Sequence, residues 1–509
     1  MTNSGIARAR VHAAGGTGIA WVLGATMFAG IAISAIAAAA QGIASGEAAA
    51  GGPKAEGQNM RLLSSHDLQT RSAYQPVIHP QGNRWILYIG HHGGVRMNPL
   101  TGAEEPNGTS ILDVTNPRAP RFLIHIPGEK GTDVGGRERG GAQMVRVCDG
   151  RTLPKGNPDK VYMLRTFGDS ANEVWDVTVP ENPSRLAVIG GDYKSTHKNW
   201  WECDTGIAYL PATAPGWRAS RVTRIFDLSD PANPVFVRDF GLSDQLAGTT
   251  GYQSAQIHGA MSTGPTGNRV YFGYGTNTRG VAQIVDREKL LAGPSAPTRE
   301  NLLAPQIARI DLPETVGAHS TYPLLGVEVA EYDEDKVGHK RDFLVVVNES
   351  NVNECQEARQ FVWFFDITDE RRPVGVSTYT VREASGNFCT RGGRFGAHST
   401  EENFTPLYYK RLMFLSWFNA GVRVLDVRDP YRPREIAYYI PATTAKTDRR
   451  CVDDVNKVNC KVQIQINNVE VDDRGLIYAV DRADTGLFIL ELTGEARGLA
   501  RITRPAGER

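Results

Sequence analysis

The sequence predicts an all-β chain that folds as a seven-bladed β-propeller behind an N-terminal export segment. Three observations predict this. A strand and turn of the form apolar-Asp-Val-Thr-x-Pro-x-x-Pro recurs along the chain, its copies are regularly spaced, and helical periodicity is nearly absent. From Asp113 to Glu491 the marker acid recurs in six steps, with a mean spacing of 63 residues. That spacing is typical of four-stranded blades with long loops.

The N-terminus, residues 1–40, has the pattern of a targeting segment. Arg8 and Arg10 form a basic start, residues 18–40 are uncharged, and Ala38-Ala39-Ala40 suits cleavage by signal peptidase. We predict a cleaved signal peptide in preference to a retained membrane anchor. Either would make the protein periplasmic or secreted, and an anchor would tether it to the inner membrane. Residues 41–58 are predicted to be a flexible linker, and residues 59–509 a single propeller domain.

Each part of the repeat has a physical explanation. The apolar alternation before the acid is a strand with a buried face, the acid caps the turn, and proline ends the hydrogen bonding. We therefore assign the marker acids to turn formation. They are Asp113, Asp176, Asp227, Asp286, Asp366, Asp426 and Glu491.

Five good copies carry a family resemblance, and they run from Thr109–Pro120 to Val422–Pro433. They resemble the LVIVD repeat family, named for its Leu-Val-Ile-Val-Asp strand, over most of residues 60–495. The resemblance implies a propeller of such repeats and says almost nothing about activity. Two segments could close the ring. Met60–Ser65 is favoured over Leu499–Thr503, because a strand from the N-terminus would pair with the last blade and remove an open edge.

Six cysteines fit an oxidising compartment. Fifteen pairings are open, and we predict three disulfides. Cys451 and Cys460 are nine residues apart in one loop. Cys355 and Cys389 lie in two loops that the repeat places on the same face, and Cys148 and Cys203 occupy matching positions in the repeat. The predicted pairs are Cys148 with Cys203, Cys355 with Cys389, and Cys451 with Cys460.

Composition and missing motifs exclude several functions. Lys plus Arg equals Asp plus Glu at 56 each, which argues against binding of nucleic acid or an anionic membrane as the main function, although a local basic patch stays open. Membrane contact is therefore expected only through the N-terminal segment. No Gly-x-Ser-x-Gly, His-Glu-x-x-His, phosphate-loop or dinucleotide motif occurs, which argues against serine hydrolases, zincins and nucleotide-dependent enzymes.

The position that enters the innermost strand of each blade is rich in histidine. Three contexts repeat, in Gln256-Ile-His258-Gly, Gly317-Ala-His319-Ser and Gly396-Ala-His398-Ser, and they predict a metal site at the channel mouth. The other members of this ring are expected to line the channel: Gln75, Gln143, His197 and Asn468. His91 and His92, in Gly90-His-His-Gly-Gly94, are predicted as catalytic residues on the same face.

The predicted ion is copper in preference to zinc or iron, because imidazole suits all three and thiolate ligands are lacking. The layout is similar to that of copper propellers of the nitrous oxide reductase and thiocyanate dehydrogenase kind. Two functions stay open: a copper-dependent oxidoreductase acting on a small molecule, and a non-catalytic scaffold that recognises an envelope protein or glycan. The histidines could also simply tie the blade junctions. Arg394, Glu401 and Glu402, beside His398, are expected to be solvated loop residues.

Overall fold

The computed structural model describes residues 54–131, 139–329, 340–453 and 455–500. The predictions on residues 1–40, and on the linker up to residue 53, lie outside this part of the chain. Within it, no helix is long and apolar enough to cross a membrane.

Seven antiparallel sheets form the blades, which confirms the seven-bladed all-β propeller. Blades 1 to 4 follow one another along the chain, and the strands of each run in chain order from the inner to the outer edge. Blade 1 contains β3 (Ala73–Gln81), β4 (Arg84–His91), β7 (Gly108–Asp113) and β8 (Arg121–Pro127). Blade 2 contains β9 (Val145–Asp149), β10 (Val161–Phe167), β11 (Ala171–Asp176) and β12 (Ser184–Gly190). Blade 3 contains β13 (Trp200–Trp201), β14 (Ile207–Ala212), β15 (Val222–Asp227) and β16 (Val235–Phe240). Blade 4 contains β17 (Ile257–Ser262), β18 (Arg269–Tyr274), β19 (Val281–Asp286) and β20 (Gln306–Asp311).

Blades 6 and 7 each take a strand from the start of the described chain. Blade 5 contains β21 (Ser320–Glu328), β22 (Lys340–Val347), β23 (Val362–Asp366) and β24 (Val374–Tyr379). Blade 6 contains β25 (Ser399–Thr400), β26 (Leu412–Ser416), β27 (Val422–Asp426), β28 (Arg434–Ile440) and β1 (Glu56–Gln58). Blade 7 contains β31 (Ile466–Val471), β32 (Leu476–Asp481), β33 (Leu487–Leu492) and β2 (Met60–His66).

Two hairpins and a few short helices complete the described elements. The hairpins are β5 (Val95–Asn98) with β6 (Ala103–Pro106), and β29 (Arg449–Asp453) with β30 (Val458–Val462). The helices are α1 (Gly264–Gly267), α2 (Arg287–Ala292), α3 (Arg299–Leu303) and α4 (Gly494–Leu499), with 3₁₀ turns at Leu68–Thr70, Ser243–Gln245 and Glu383–Ser385.

The ring is closed from the N-terminal side. β2 pairs with β33 from Met60 opposite Leu492 to His66 opposite Leu487. The alternative closing segment begins in helix α4 and so does not supply this strand. β1 pairs with β28, so the last three residues of the predicted linker 41–58 are strand. Both strands cover sheet edges that would otherwise stay unpaired.

The core lies between neighbouring blades. Leu87 and Ile89 of blade 1, for example, are fully buried in one cluster with Tyr478 and Ile489 of blade 7. The innermost strands of adjacent blades contact one another around most of the ring. Residues at the ends of these strands are therefore brought together on the axis.

The marker aspartates form turns, as the repeat predicts. In five blades the carboxylate accepts a hydrogen bond from the backbone N–H two residues later, at 2.7–3.2 Å. The aspartates are Asp113, Asp176, Asp227, Asp366 and Asp426. Asp286 instead caps α2 through the N–H of Lys289.

Removing one of these hydrogen bonds in a turn is expected to affect only the stability of the fold. Asp227→Ala deletes the acceptor of the Ser229 N–H, 2.7 Å away, and should lower the free energy of unfolding by about 1 kcal/mol. Urea denaturation measures this. Asp192→Ala, in an exposed loop, is the control and should change it by less than about 0.5 kcal/mol. Equal losses in both variants would contradict the assignment.

Three disulfides join the pairs expected from the sequence: Cys148–Cys203, Cys355–Cys389 and Cys451–Cys460. No free cysteine remains in the described chain. Disulfides of this number are typical of an oxidising extracellular or periplasmic environment.

Candidate metal centre

The backbone at the channel mouth bends so that single side chains turn toward the axis. In β17 the pairing shifts between Ile257 and Gly259, which leaves His258 as the extra residue of a β-bulge. The same shift in β31 isolates Asn467, and a shift between Ala73 and Pro76 frees Tyr74. Bulges redirect side chains in this way next to functional sites.

Four histidines meet at this end of the ring. His258 and His319 have ring centroids 3.8 Å apart, and His319 and His398 have centroids 4.4 Å apart. His197 Nε2 lies 2.7 Å from His258 Nε2, so one of these two nitrogens must donate the hydrogen. The predicted triad is therefore one contiguous cluster, and His197 belongs to it as well as to the channel lining.

Two of the rings are held through one nitrogen and leave the other without a partner. His319 Nδ1 lies 2.8 Å from Ser320 Oγ, and His398 Nδ1 lies 2.5 Å from the carbonyl oxygen of Asn467. No described residue gives a hydrogen bond to Nε2 of either ring, and His258 Nδ1 likewise has none. Metal-binding histidines show this arrangement, in which the second nitrogen fixes the ring.

A buried carboxylate faces these nitrogens. Glu349, in the loop between β22 and β23, has carboxylate oxygens 3.9 Å from His319 Nε2 and 3.7 Å from His398 Nε2. Ligand atoms of His258, His319 and Glu349 all lie within 4.8 Å of one another. These residues fit a metal ion, since two imidazoles and a carboxylate are a common donor set. Glu349 is not among the site residues predicted from the sequence.

The imidazoles of this cluster are neutral, as ligands must be. Burial lowers the pKa of His258 well below the usual value, and His197, Lys198 and Arg221 lower it further. Burial acts in the same direction on His319, together with the neighbouring rings His258 and His398. Their lone pairs are therefore available at neutral pH.

The two predicted catalytic histidines point to different places. His92 contacts Tyr74, with ring centroids 4.9 Å apart, and Tyr74 in turn contacts His398 at 5.8 Å. His91 is directed into blade 1, where its Nε2 lies 2.8 Å from Ser110 Oγ, and its ring is 6.0 Å from His125. His91 therefore lies apart from the axial cluster, because successive residues at a strand end face opposite sides.

The polar channel residues lie beside the cluster. Asn468 donates a hydrogen bond of 2.7 Å to the side-chain oxygen of Gln75, which joins blades 7 and 1. Gln143, at the corresponding position of blade 2, is half-buried.

Glu401 and Glu402 are not solvated, contrary to expectation. Both are buried, and Glu402 forms ion pairs with Lys198 and Arg146. Lys198 also donates a hydrogen bond of 2.7 Å to Ser320 Oγ, the group that holds His319. Charged residues near the axis cannot reach solvent, so they pair with each other.

The side chain of Arg394 is also directed into the protein and not toward solvent. Its Nη1 lies 3.4 Å from a carboxylate oxygen of Glu349, and its guanidinium lies over the ring of Phe418. It therefore helps to neutralise the candidate ligand instead of facing solvent.

A cavity of about 280 Å³ opens onto this cluster between blades 3 and 4. His258 lines it, together with Arg221, Gln256, Thr276 and Arg279. We call it the Arg221 cavity. Its walls are the loop before β15, the link into β17 and the loop between β18 and β19. A small molecule in this cavity would lie next to one of the candidate ligands.

Comparisons with known proteins do not assign this chain to a family. No family model matches the sequence, and neither does any curated protein. The LVIVD assignment therefore stays a prediction, although the propeller is established. Among solved structures, the chain is similar to one described as "Crystal structure of Chaetomium thermophilum Raptor", with a TM-score of 0.49 and 10% identity. The match covers 84% of this chain and only 28% of that chain, and we draw no functional argument from it.

Proposed function

We propose that this protein binds one transition-metal ion through His258, His319 and Glu349, and that it acts as an oxidoreductase on a small molecule. The observation that carries the proposal is the set of buried ring nitrogens without partners beside a buried carboxylate. Each unsatisfied buried polar atom costs about 1–3 kcal/mol. One metal ion would satisfy several of them at once.

The same observation argues against a purely structural role for these histidines. A histidine that ties two blades should use both ring nitrogens in hydrogen bonds. His319 and His398 each use Nδ1 alone, and each Nε2 is directed toward Glu349. That asymmetry is expected of ligands and has no structural benefit.

We favour copper as the ion. Imidazole ligands bind copper, zinc and iron, and Cu²⁺ forms the strongest complexes among the divalent first-row metals. His398 and His197 lie next to the three ligands and make the surroundings rich in imidazole. Bound copper would supply one-electron redox chemistry. The carboxylate is equally common in zinc and iron sites, so metal analysis has to decide among the three.

The disulfides support a location outside the cytosol, and we propose the periplasm or the extracellular space. Residues 1–40 would direct export, as a cleaved signal or as a tether to the inner membrane. The substrate would reach the metal through the Arg221 cavity.

Metal loading tests the proposal directly. Protein loaded separately with Cu²⁺, Zn²⁺ or Fe²⁺ and then desalted should retain about one ion per chain, measured by elemental analysis. The triple variant His258→Ala, His319→Ala, His398→Ala should retain less than about 0.1 ion. His79→Ala, in strand β3 and outside the cluster, is the control and should retain as much as the wild type.

Wild type and triple variant that retain equally little metal would reject the site. The non-catalytic scaffold would then be the remaining candidate. Electron paramagnetic resonance of the copper-loaded protein gives a second readout, because nitrogen ligands produce hyperfine splitting that the triple variant should lack.

A further inference from the structure

The Arg221 cavity has cationic walls. Arg221 and Arg279 both line it, and none of its described lining residues is acidic. Glu314 lies outside the lining, 3.6 Å from Arg279, and the side chains of this pair are 67% and 52% exposed. Such an exposed pair is weak, so it leaves most of the positive charge of Arg279 effective.

Two hydrogen bonds hold Arg221 in place, and they leave N–H groups of its guanidinium for a ligand. Its Nη1 lies 3.3 Å from Ser195 Oγ, and its Nε lies 3.4 Å from the carbonyl oxygen of Ile257. No described residue accepts a hydrogen bond from its Nη2. Burial lowers the pKa of Arg221 to about 10, which leaves the guanidinium charged at neutral pH. A fixed, charged and incompletely paired guanidinium is a typical anion ligand.

The charges around the metal cluster also favour an anion in the cavity. Glu349 is the carboxylate that faces the rings, and Nη1 of Arg394 already lies 3.4 Å from one of its oxygens. A divalent cation bound there would add positive charge that one carboxylate does not cancel. An anion in the adjoining cavity would restore the balance.

The size of the cavity limits what it can hold. Its volume of about 280 Å³ lies just below the range of about 300–1,000 Å³ that is typical of small-molecule pockets. Hydroxyl and amide groups of Thr276, Thr278 and Gln256 offer further hydrogen bonds around the two arginines. The lining is thus mostly polar and suits a compact, charged ligand better than an extended apolar one.

We propose that the Arg221 cavity binds a small anion, a carboxylate or an oxyanion, through Arg221 and Arg279, and that the substrate of the neighbouring metal site belongs to this class. The second part rests on the proposed function, whereas the anion site does not need it.

Calorimetric titration of the full chain with sodium acetate and sodium sulfate, in chloride-free buffer, tests the proposal. Both metal-loaded and metal-free protein are titrated. Arg221→Gln should weaken binding of the preferred probe by about 10- to 100-fold, since it removes a charge-assisted hydrogen bond. Arg118→Gln makes the same charge change at an exposed turn of blade 1 and should leave the affinity unchanged. Tighter binding of acetate identifies a carboxylate site, and tighter binding of sulfate an oxyanion site.

Each outcome separates the two proposals. Anion binding that depends on Arg221 in a protein that takes up no metal supports the cavity and rejects the metal site. A protein that binds metal but neither probe, or in which Arg118→Gln weakens binding as much as Arg221→Gln, overturns the anion site. If Arg221→Gln does not fold, Arg279→Gln replaces it, because its half-exposed side chain tolerates the change.

Discussion

Replacing Glu349 by glutamine is expected to weaken binding of a divalent transition metal by at least about 100-fold. Mutating a residue that only hydrogen-bonds to a metal ligand already lowers metal affinity by about 10- to 100-fold, and Glu349 is proposed to be a ligand itself. The substitution keeps the shape of the side chain and removes the charge that faces His319 and His398. Competition with a chelator of known affinity measures the change.

The same variant should lose the stability that metal adds. With the ion at 100 times the wild-type dissociation constant, bound metal stabilises the fold by about 2.7 kcal/mol, and a 100-fold weaker site retains only about 0.4 kcal/mol. Glu354→Gln, in the same loop but paired with Lys461, is the matched control and should keep wild-type affinity. Unchanged affinity in Glu349→Gln would remove the carboxylate from the ligand set.

Glu402→Ala should cause the largest loss of stability of any single change described for this protein. Lys198 and Arg146 are both buried, and Glu402 is the carboxylate that pairs with each of them. Removing one partner of a buried ion pair costs about 3–5 kcal/mol, because the remaining charge stays in the interior. Urea denaturation of the metal-free protein measures this loss without interference from the metal site.

The adjacent residue provides a matched control. Burial raises the pKa of Glu401 well above its usual value, which favours the neutral carboxyl, and the side chain accepts a hydrogen bond from the Phe414 N–H. Glu401→Gln keeps an acceptor there and should change the stability by less than about 1 kcal/mol. Adding Lys198→Met to Glu402→Ala should recover part of the loss, because one unpaired cation is removed. Equal effects of the two glutamate changes would show that the ion pairs contribute nothing.

The fold could be predicted because its determinants are local. The strand, the acidic turn and the prolines occur together within about a dozen residues, and each has one dominant reading. Two of the disulfide pairs followed from the same register, and the third, Cys451–Cys460, followed from its short spacing within one loop. The N-terminal closing strand followed from the need to cover an edge.

The candidate site could be predicted only where it follows the repeat. His258, His319 and His398 occupy equivalent positions, so a common register brings them together. Glu349 follows a strand that resembles other strands, and nothing in its neighbours marks it as a ligand. The direction of His91 and the burial of Glu402 depend on which side of a strand or loop faces the axis. Beside His91 the pairing of β3 with β4 shifts at a bulge, and the sequence does not show where a bulge occurs.

The closure of blade 7 by β2 has a consequence for the order of folding. Arg61 pairs with Glu491, 430 residues further along the chain, and no blade between them needs this contact. Blades 1 to 5 can therefore form one after another while the rest of the chain is still being synthesised. The ring closes only at the end, when β2 pairs with the last sheet. Contacts this distant in sequence form slowly. Until then β33 presents an unpaired edge, and a second chain at the same stage can supply the missing strand in place of the chain's own.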